Sequence, residues 1–136
     1  RYAHKTDAKV LNIIGDVQDK NCLVVDDFSI TGGTLVDIAR ALKENGAKKV
    51  YGALSHNVMT QKALQRIENS DYEWIVSTDT LECPWANEST KLRTISAAPM
   101  FAQAVKTIHD RAPMSTMFDH RFLKRLMDMS LETQED

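Results

Sequence analysis

The sequence predicts an α/β fold, with a mainly parallel sheet covered by helices. Three observations carry that reading. Short apolar runs of strand length alternate with stretches of helical apolar spacing. One of those runs is continuously apolar, as in strands buried on both faces. The chain has 136 residues, a length suited to one domain, with no internal repeat and no second domain.

The elements follow in order. Residues 10–14 (Val-Leu-Asn-Ile-Ile) predict a first strand closed by Gly15-Asp16, and Cys22-Leu23-Val24-Val25 a second. A helix is expected over 33–45, where Leu35, Ile38, Ala39 and Leu42 share one stripe and Gly46 stands at C′. Residues 49–54 read as a strand, and Thr60 can cap a helix that turns Ala63, Leu64 and Ile67 inward. Residues 74–77 predict another strand, 81–90 a polar irregular loop and 92–95 a further strand. Pro99 then opens a helix with Phe101, Val105 and Ile108 as its buried stripe. Near the end, Phe118, Phe122, Leu126 and Met129 recur at helical spacing beside Arg121, Lys124 and Arg125, which suits core packing or an oligomer contact.

Composition narrows the class of function. Hydrophobic residues make up 43% and charged residues 26%, which excludes a disordered or low-complexity chain. Seventeen Lys and Arg against nineteen Asp and Glu leave a net charge of −2, so no general basic field exists for a nucleic-acid backbone or an anionic membrane. No apolar run approaches the ~18–20 residues of a membrane helix, and no signal peptide is visible. Cys22 and Cys83 have no metal-ligand spacing and read as two reduced thiols of a cytoplasmic protein. The chain starts at Arg1 and soon enters a strand-like pattern, as expected of a piece of a longer protein.

The chemistry concentrates in residues 24–35, Val-Val-Asp-Asp-Phe-Ser-Ile-Thr-Gly-Gly-Thr-Leu. An apolar strand ends in two carboxylates, a loop with two glycines and three hydroxyls follows, and a helix starts at once. A helix N-terminus offers unpaired N–H groups and a partial positive charge, which suit a phosphate monoester. Gly32 and Gly33 let backbone approach the ligand, while Thr31 and Thr34 add hydroxyl donors. Asp26 and Asp27 can accept from a vicinal diol or hold a hydrated Mg²⁺. Phosphate pocket and carboxylates together describe a sugar phosphate, above all a ribose 5-phosphate. A tight strand–helix connection would also use such a turn, and paired Asp after a strand occurs in phosphoacceptor domains. A Walker A loop is excluded because no Gly-Lys-Ser/Thr follows, and the glycine spacing excludes the dinucleotide fingerprint.

This segment resembles the phosphoribosyl-pyrophosphate (PRPP) loop of type I phosphoribosyltransferases and of ribose-phosphate pyrophosphokinases. Further blocks are similar to the latter family in the same order: residues 12–17 (Asn-Ile-Ile-Gly-Asp-Val), 44–51 (Glu-Asn-Gly-Ala-Lys-Lys-Val-Tyr), Ser55-His56, 63–67 (Ala-Leu-Gln-Arg-Ile), 95–104 (Ile-Ser-Ala-Ala-Pro-Met-Phe-Ala-Gln-Ala), Ile108-His109 and 115–118 (Ser-Thr-Met-Phe). The resemblance implies a three-layer phosphoribosyltransferase-like domain over 1–118, C-terminal to a homologous domain that this chain lacks, with a helical tail over 119–136. It implies transfer of the β,γ-diphosphoryl group of ATP to ribose 5-phosphate, with Mg²⁺, in a cytoplasmic homo-oligomer, commonly a hexamer, that feeds nucleotide biosynthesis. Asp26 and Asp27 would hold the ribose hydroxyls, directly or through the metal. Ser29, Thr31, Gly32, Gly33 and Thr34 would cradle the 5-phosphate. Arg1 would be the tail of an upstream Lys/Arg segment that stabilises the transferred phosphates, with Asp27 as its catalytic counterpart, and this piece alone would make no PRPP. One departure stands out: Ile30 occupies a position that is often acidic in the family. Two alternatives are a non-catalytic associated subunit, which would tolerate Ile30, and a salvage phosphoribosyltransferase. Residues 81–90 are too short for the base-binding hood of the latter.

Overall fold

The computed structural model describes residues 13–124. They fall into two compact units, one running through Ile95 and the other starting at Ser96.

The first unit holds four strands, β1 (Asn21–Ser29), β2 (Lys49–Asn57), β3 (Tyr72–Thr78) and β4 (Leu92–Ile95), and two helices, α1 (Gly33–Glu44) and α2 (Gln61–Glu68). The strands form one sheet in the order β1-β2-β3-β4, and every pair is parallel. α1 and α2 are the crossovers of the parallel pairs β1–β2 and β2–β3, whereas β3 reaches its parallel neighbour β4 through residues 79–91 without an α-helix.

The core lies between one sheet face and these helices. Val50, Leu54, Ile75 and Leu92 from the strands meet Leu35, Ala39, Ala63, Leu64 and Ile67 from the helices. Complete burial of such a Leu or Ile contributes about 1.5–3 kcal/mol, so this cluster dominates the unit's stability. Cys22 and Val24 of β1 close the cluster partly buried, whereas Leu23 and Val25 on its other face are 59% and 72% exposed. On that second face Tyr51 and Trp74 pack with ring centroids 4.8 Å apart and planes tilted by 48°, and the Arg93 guanidinium lies 5.0 Å over the Trp74 ring.

The helix ends match their sequence signals. The Thr60 hydroxyl caps α2 by accepting from the Ala63 N–H at 3.2 Å. Gly46 ends α1 with φ +87°, the left-handed conformation that glycine adopts without a Cβ clash.

The second unit contains α3 (Ala98–His109), with Pro99 in its first turn, and a 3₁₀ segment, Met114–Phe118. Four expectations need correction. Ile13 and Ile14 are not in a strand, and residues 10–12 lie outside the described residues. β1 does not end at the two aspartates but continues through Phe28 to Ser29. A short 3₁₀ turn, Ala86–Glu88, interrupts the loop expected over 81–90. Phe101, Val105 and Ile108 do recur along α3, but among the described residues they are exposed rather than buried. Leu126 and Met129 lie outside the described residues.

Candidate functional site

At the carboxyl end of β1 the chain leaves the sheet, turns through residues 30–32 and enters α1 directly. Ligands of open parallel sheets bind at this end of the strands. Gly32 is the N-cap of α1, with φ +70° and ψ −4°, and no side chain caps the helix. No acidic residue stands in its first turn either. Neither an N-cap side chain nor a first-turn acid neutralises the N-terminus of α1, which favours anion binding there.

The loop side chains surround that helix end. Gly32 N–H donates to Ser29 Oγ at 3.3 Å, and Gly33 N–H to Thr31 Oγ1 at 3.5 Å. Both bonds are long, and a stronger acceptor would replace them readily. Thr31 and Thr34 are exposed and Gly33 is half-buried, so donors and hydroxyls of the turn reach solvent. Ser29, Thr31, Gly32, Gly33 and Thr34 thus lie around the N-terminal end of α1.

The two aspartates are near the loop but do not form a side-by-side pair. Strand alternation places Asp26 on the face of Cys22 and Val24, and Asp27 on the face of Leu23 and Val25. Asp26 Oδ1 accepts the Asp27 N–H at 2.9 Å, and Asp27 Oδ1 accepts the Phe28 N–H at 2.8 Å. Both carboxylates remain exposed, each with a free oxygen edge. Among the described residues no group of three or more His, Cys, Asp or Glu could hold a metal ion. Mg²⁺ needs no such cage, since it keeps waters and is commonly held by one or two carboxylates together with substrate phosphates. Asp26 or Asp27 fits that partial role; Arg1 lies outside the described residues.

Helix α2 supports the loop from behind. The Thr60 N–H donates to the Ile30 carbonyl at 3.2 Å, and Arg66 Nη1 donates to the Thr31 carbonyl at 2.9 Å. A β-carbon at Gly32 would lie 3.2 Å from the Ala63 carbonyl oxygen. Sequence reasoning missed Arg66. Its only signal was its spacing of three from Ala63, itself three from the Thr60 cap.

His56, one strand away beside Phe28, is engaged on the other side. Its Nδ1 shares a hydrogen bond with Thr80 Oγ1 at 2.7 Å, which lies 2.8 Å from Thr78 Oγ1, and the Thr78 hydroxyl donates to the Ser55 carbonyl. A cavity of about 370 Å³ is lined by Asn57, Thr78, Asp79, Glu82, Cys83 and Thr94 among others, and none of the loop residues lines it. No described helix is long and apolar enough to cross a membrane.

Residues 3–119 match the family model described as the phosphoribosyl synthetase-associated domain. The chain is 43% identical over 112 residues to ribose-phosphate pyrophosphokinase 1 of Lactococcus lactis, covering 82% of this chain and 35% of that protein. It is 40% identical over 111 residues to the ribose-phosphate pyrophosphokinase of Clostridium perfringens, with the same coverage. The chain therefore spans about a third of the length of these relatives. It is also similar to the crystal structure of phosphoribosylpyrophosphate synthetase from Mycobacterium smegmatis, with a TM-score of 0.66 and 32% identity over 73% of this chain and 33% of that one. The chain belongs to the phosphoribosyl synthetase-associated domain family.

Proposed function

We propose that this chain is the ribose-5-phosphate-binding part of a ribose-phosphate pyrophosphokinase. The observation that carries the reading is the N-terminus of α1: Gly32 in the left-handed conformation, no side-chain cap, no acid in the first turn, and hydroxyls on both sides. A 5-phosphate there completes the hydrogen bonding of the helix end and meets its positive pole. In this reading Ser29, Thr31, Gly32, Gly33 and Thr34 hold the phosphate, while Asp26 and Asp27 reach the ribose hydroxyls.

In the reaction, the 1-hydroxyl oxygen of ribose 5-phosphate attacks the β-phosphorus of ATP. The bond from that phosphorus to the α,β-bridging oxygen breaks, AMP leaves, and the hydroxyl proton is released. Such transfer depends on positioning and charge neutralisation. Mg²⁺, when bound, would neutralise the phosphate charge, with Asp26 or Asp27 supplying one protein oxygen. The phosphate loop fixes one end of the sugar, and the carboxylates orient the hydroxyls at the other. The proposal extends to a domain over 1–118, a C-terminal tail over 119–136, Arg1 near the transferred phosphates, and a cytoplasmic homo-oligomer, with the ATP pocket largely built outside this chain.

Ile30 favours a second reading, a non-catalytic associated subunit. Its side chain is 53% exposed in the loop and cannot accept a hydrogen bond from a sugar or a metal-bound water. Calorimetric titration of the full-length protein with ribose 5-phosphate, ribose and inorganic phosphate tests the shared core of both readings. Ribose 5-phosphate should bind at least tenfold more tightly than either fragment. Equal binding of ribose and ribose 5-phosphate would overturn the phosphate-cradle reading.

A further inference from the structure

We propose that helix α2 sets the shape of the phosphate loop, and that Arg66 is its positioning residue. The proposal rests on the reading of residues 29–34 as an anion cradle. Such a cradle works only if its N–H groups point at the ligand and its carbonyl oxygens point away, because a carbonyl dipole facing a phosphate repels it.

The loop meets this condition through two bonds from one helix. The Ile30 carbonyl is taken by the Thr60 N–H at 3.2 Å, and the Thr31 carbonyl by Arg66 Nη1 at 2.9 Å. In a trans peptide unit the C=O and the following N–H point in opposite directions, and no described peptide bond is cis. Holding the Ile30 oxygen toward α2 therefore turns the Thr31 N–H away from it. Holding the Thr31 oxygen likewise turns the Gly32 N–H away. Two consecutive N–H groups then face the side of the loop opposite α2, and the left-handed Gly32 delivers the chain into α1 beside them.

The anchor is packed into the core. Ala63, Leu64 and Ile67 bury one side of α2 in the core, and Thr60 fixes its first turn. Arg66 therefore reaches the loop from a fixed base, 35 positions along the chain from its partner. Its bond also differs in kind from Thr60's. A guanidinium donor is charged, so the bond is stronger than an amide–carbonyl bond and brings a positive charge to the back of an anion site.

The test uses the full-length protein, its Arg66→Met variant, which keeps the aliphatic stem, and its Arg66→Lys variant, which keeps a charged donor. Hydrogen–deuterium exchange without ligand should show faster exchange in Arg66→Met confined to residues 28–34, with the melting temperature unchanged and Arg66→Lys restoring protection in part. Titration with ribose 5-phosphate should show binding weakened about tenfold or more in Arg66→Met and less in Arg66→Lys. Wild-type exchange over residues 28–34 in Arg66→Met would overturn the proposal, and so would faster exchange spread through α2 and the sheet, which marks a general structural role. A wild-type protein that binds no ribose 5-phosphate would overturn the sugar-phosphate reading instead, while the ligand-free exchange still decides the role of Arg66.

Discussion

Gly32 lies so close to Ala63 that a β-carbon on it would come 3.2 Å from the Ala63 carbonyl oxygen and 3.5 Å from the Ala63 methyl carbon. The loop and α2 thus touch where the chain is in the left-handed region, at φ +70°. Two independent constraints, conformation and space, converge on glycine there.

Replacing Gly32 with alanine should therefore displace the loop. The left-handed conformation alone costs an alanine about 1–2 kcal/mol, and the short approach to Ala63 adds to it. Gly32→Ala is expected to weaken ribose 5-phosphate binding by at least tenfold while the sheet stays folded. Calorimetry and circular dichroism on the same sample check both statements. Unchanged affinity would mean that the ligand does not use this turn.

Glu68 closes α2 onto the segment before β4. Its carboxylate accepts from the hydroxyls of Ser89 and Thr90 and from the N–H groups of Thr90 and Lys91. Partial burial pushes this carboxyl up, but the bonds from Ser89, Thr90 and Lys91 together outweigh burial and hold it below the ordinary glutamate value of 4.5. A lowered folded-state value means that this stabilisation is complete above about pH 4.5 and is lost as pH falls through the lowered value. Glu68→Gln should lose about 1 kcal/mol at pH 7, a modest figure because the group is partly solvated. Urea melts at pH 7 and pH 3.5 should show the gap between wild type and variant narrowing at the lower pH.

Tyr72 is 2% exposed, and its hydroxyl has no hydrogen-bond partner among the described residues. Burial first, and the negative charge of Asp26 second, push this hydroxyl above the ordinary tyrosine range. An unsatisfied buried hydroxyl costs about 1–3 kcal/mol, so Tyr72→Phe should be neutral or stabilising by up to about 1 kcal/mol at pH 7. A raised folded-state value also means that wild type loses stability as pH rises above about 10, a loss the phenylalanine variant should lack. Destabilisation of more than about 1 kcal/mol would show that the hydroxyl has a partner.

Much of this was legible in the residues. Thr60 caps α2, Leu35 and Ala39 line α1, and β4 spans residues 92–95, because each depends on local periodicity or a local hydrogen bond. The loop residues converge for the same reason, since strand, turn and helix are contiguous in the chain. The aspartates were legible as the end of a strand, but the reach of β1 beyond them to Ser29 was not: a strand whose end is exposed tolerates polar residues, so the apolar pattern stops before the strand does. Nor were the contacts of Arg66 with Thr31 and of Glu68 with Ser89 and Thr90, which join positions 21 or more residues apart and leave no periodic trace. The stripe on α3 was legible as a pattern, but a pattern does not say what covers it.

The most direct test of the proposed function is turnover by the full-length protein. Ribose 5-phosphate and Mg-ATP are incubated with it and followed by ³¹P NMR, with Asp27→Ala as the control. New PRPP and AMP signals in equal amounts, lost in the control, are expected. Bound ribose 5-phosphate with no new signals would contradict the synthetase reading and leave the associated subunit, with Ile30 in its loop, as the function of this chain.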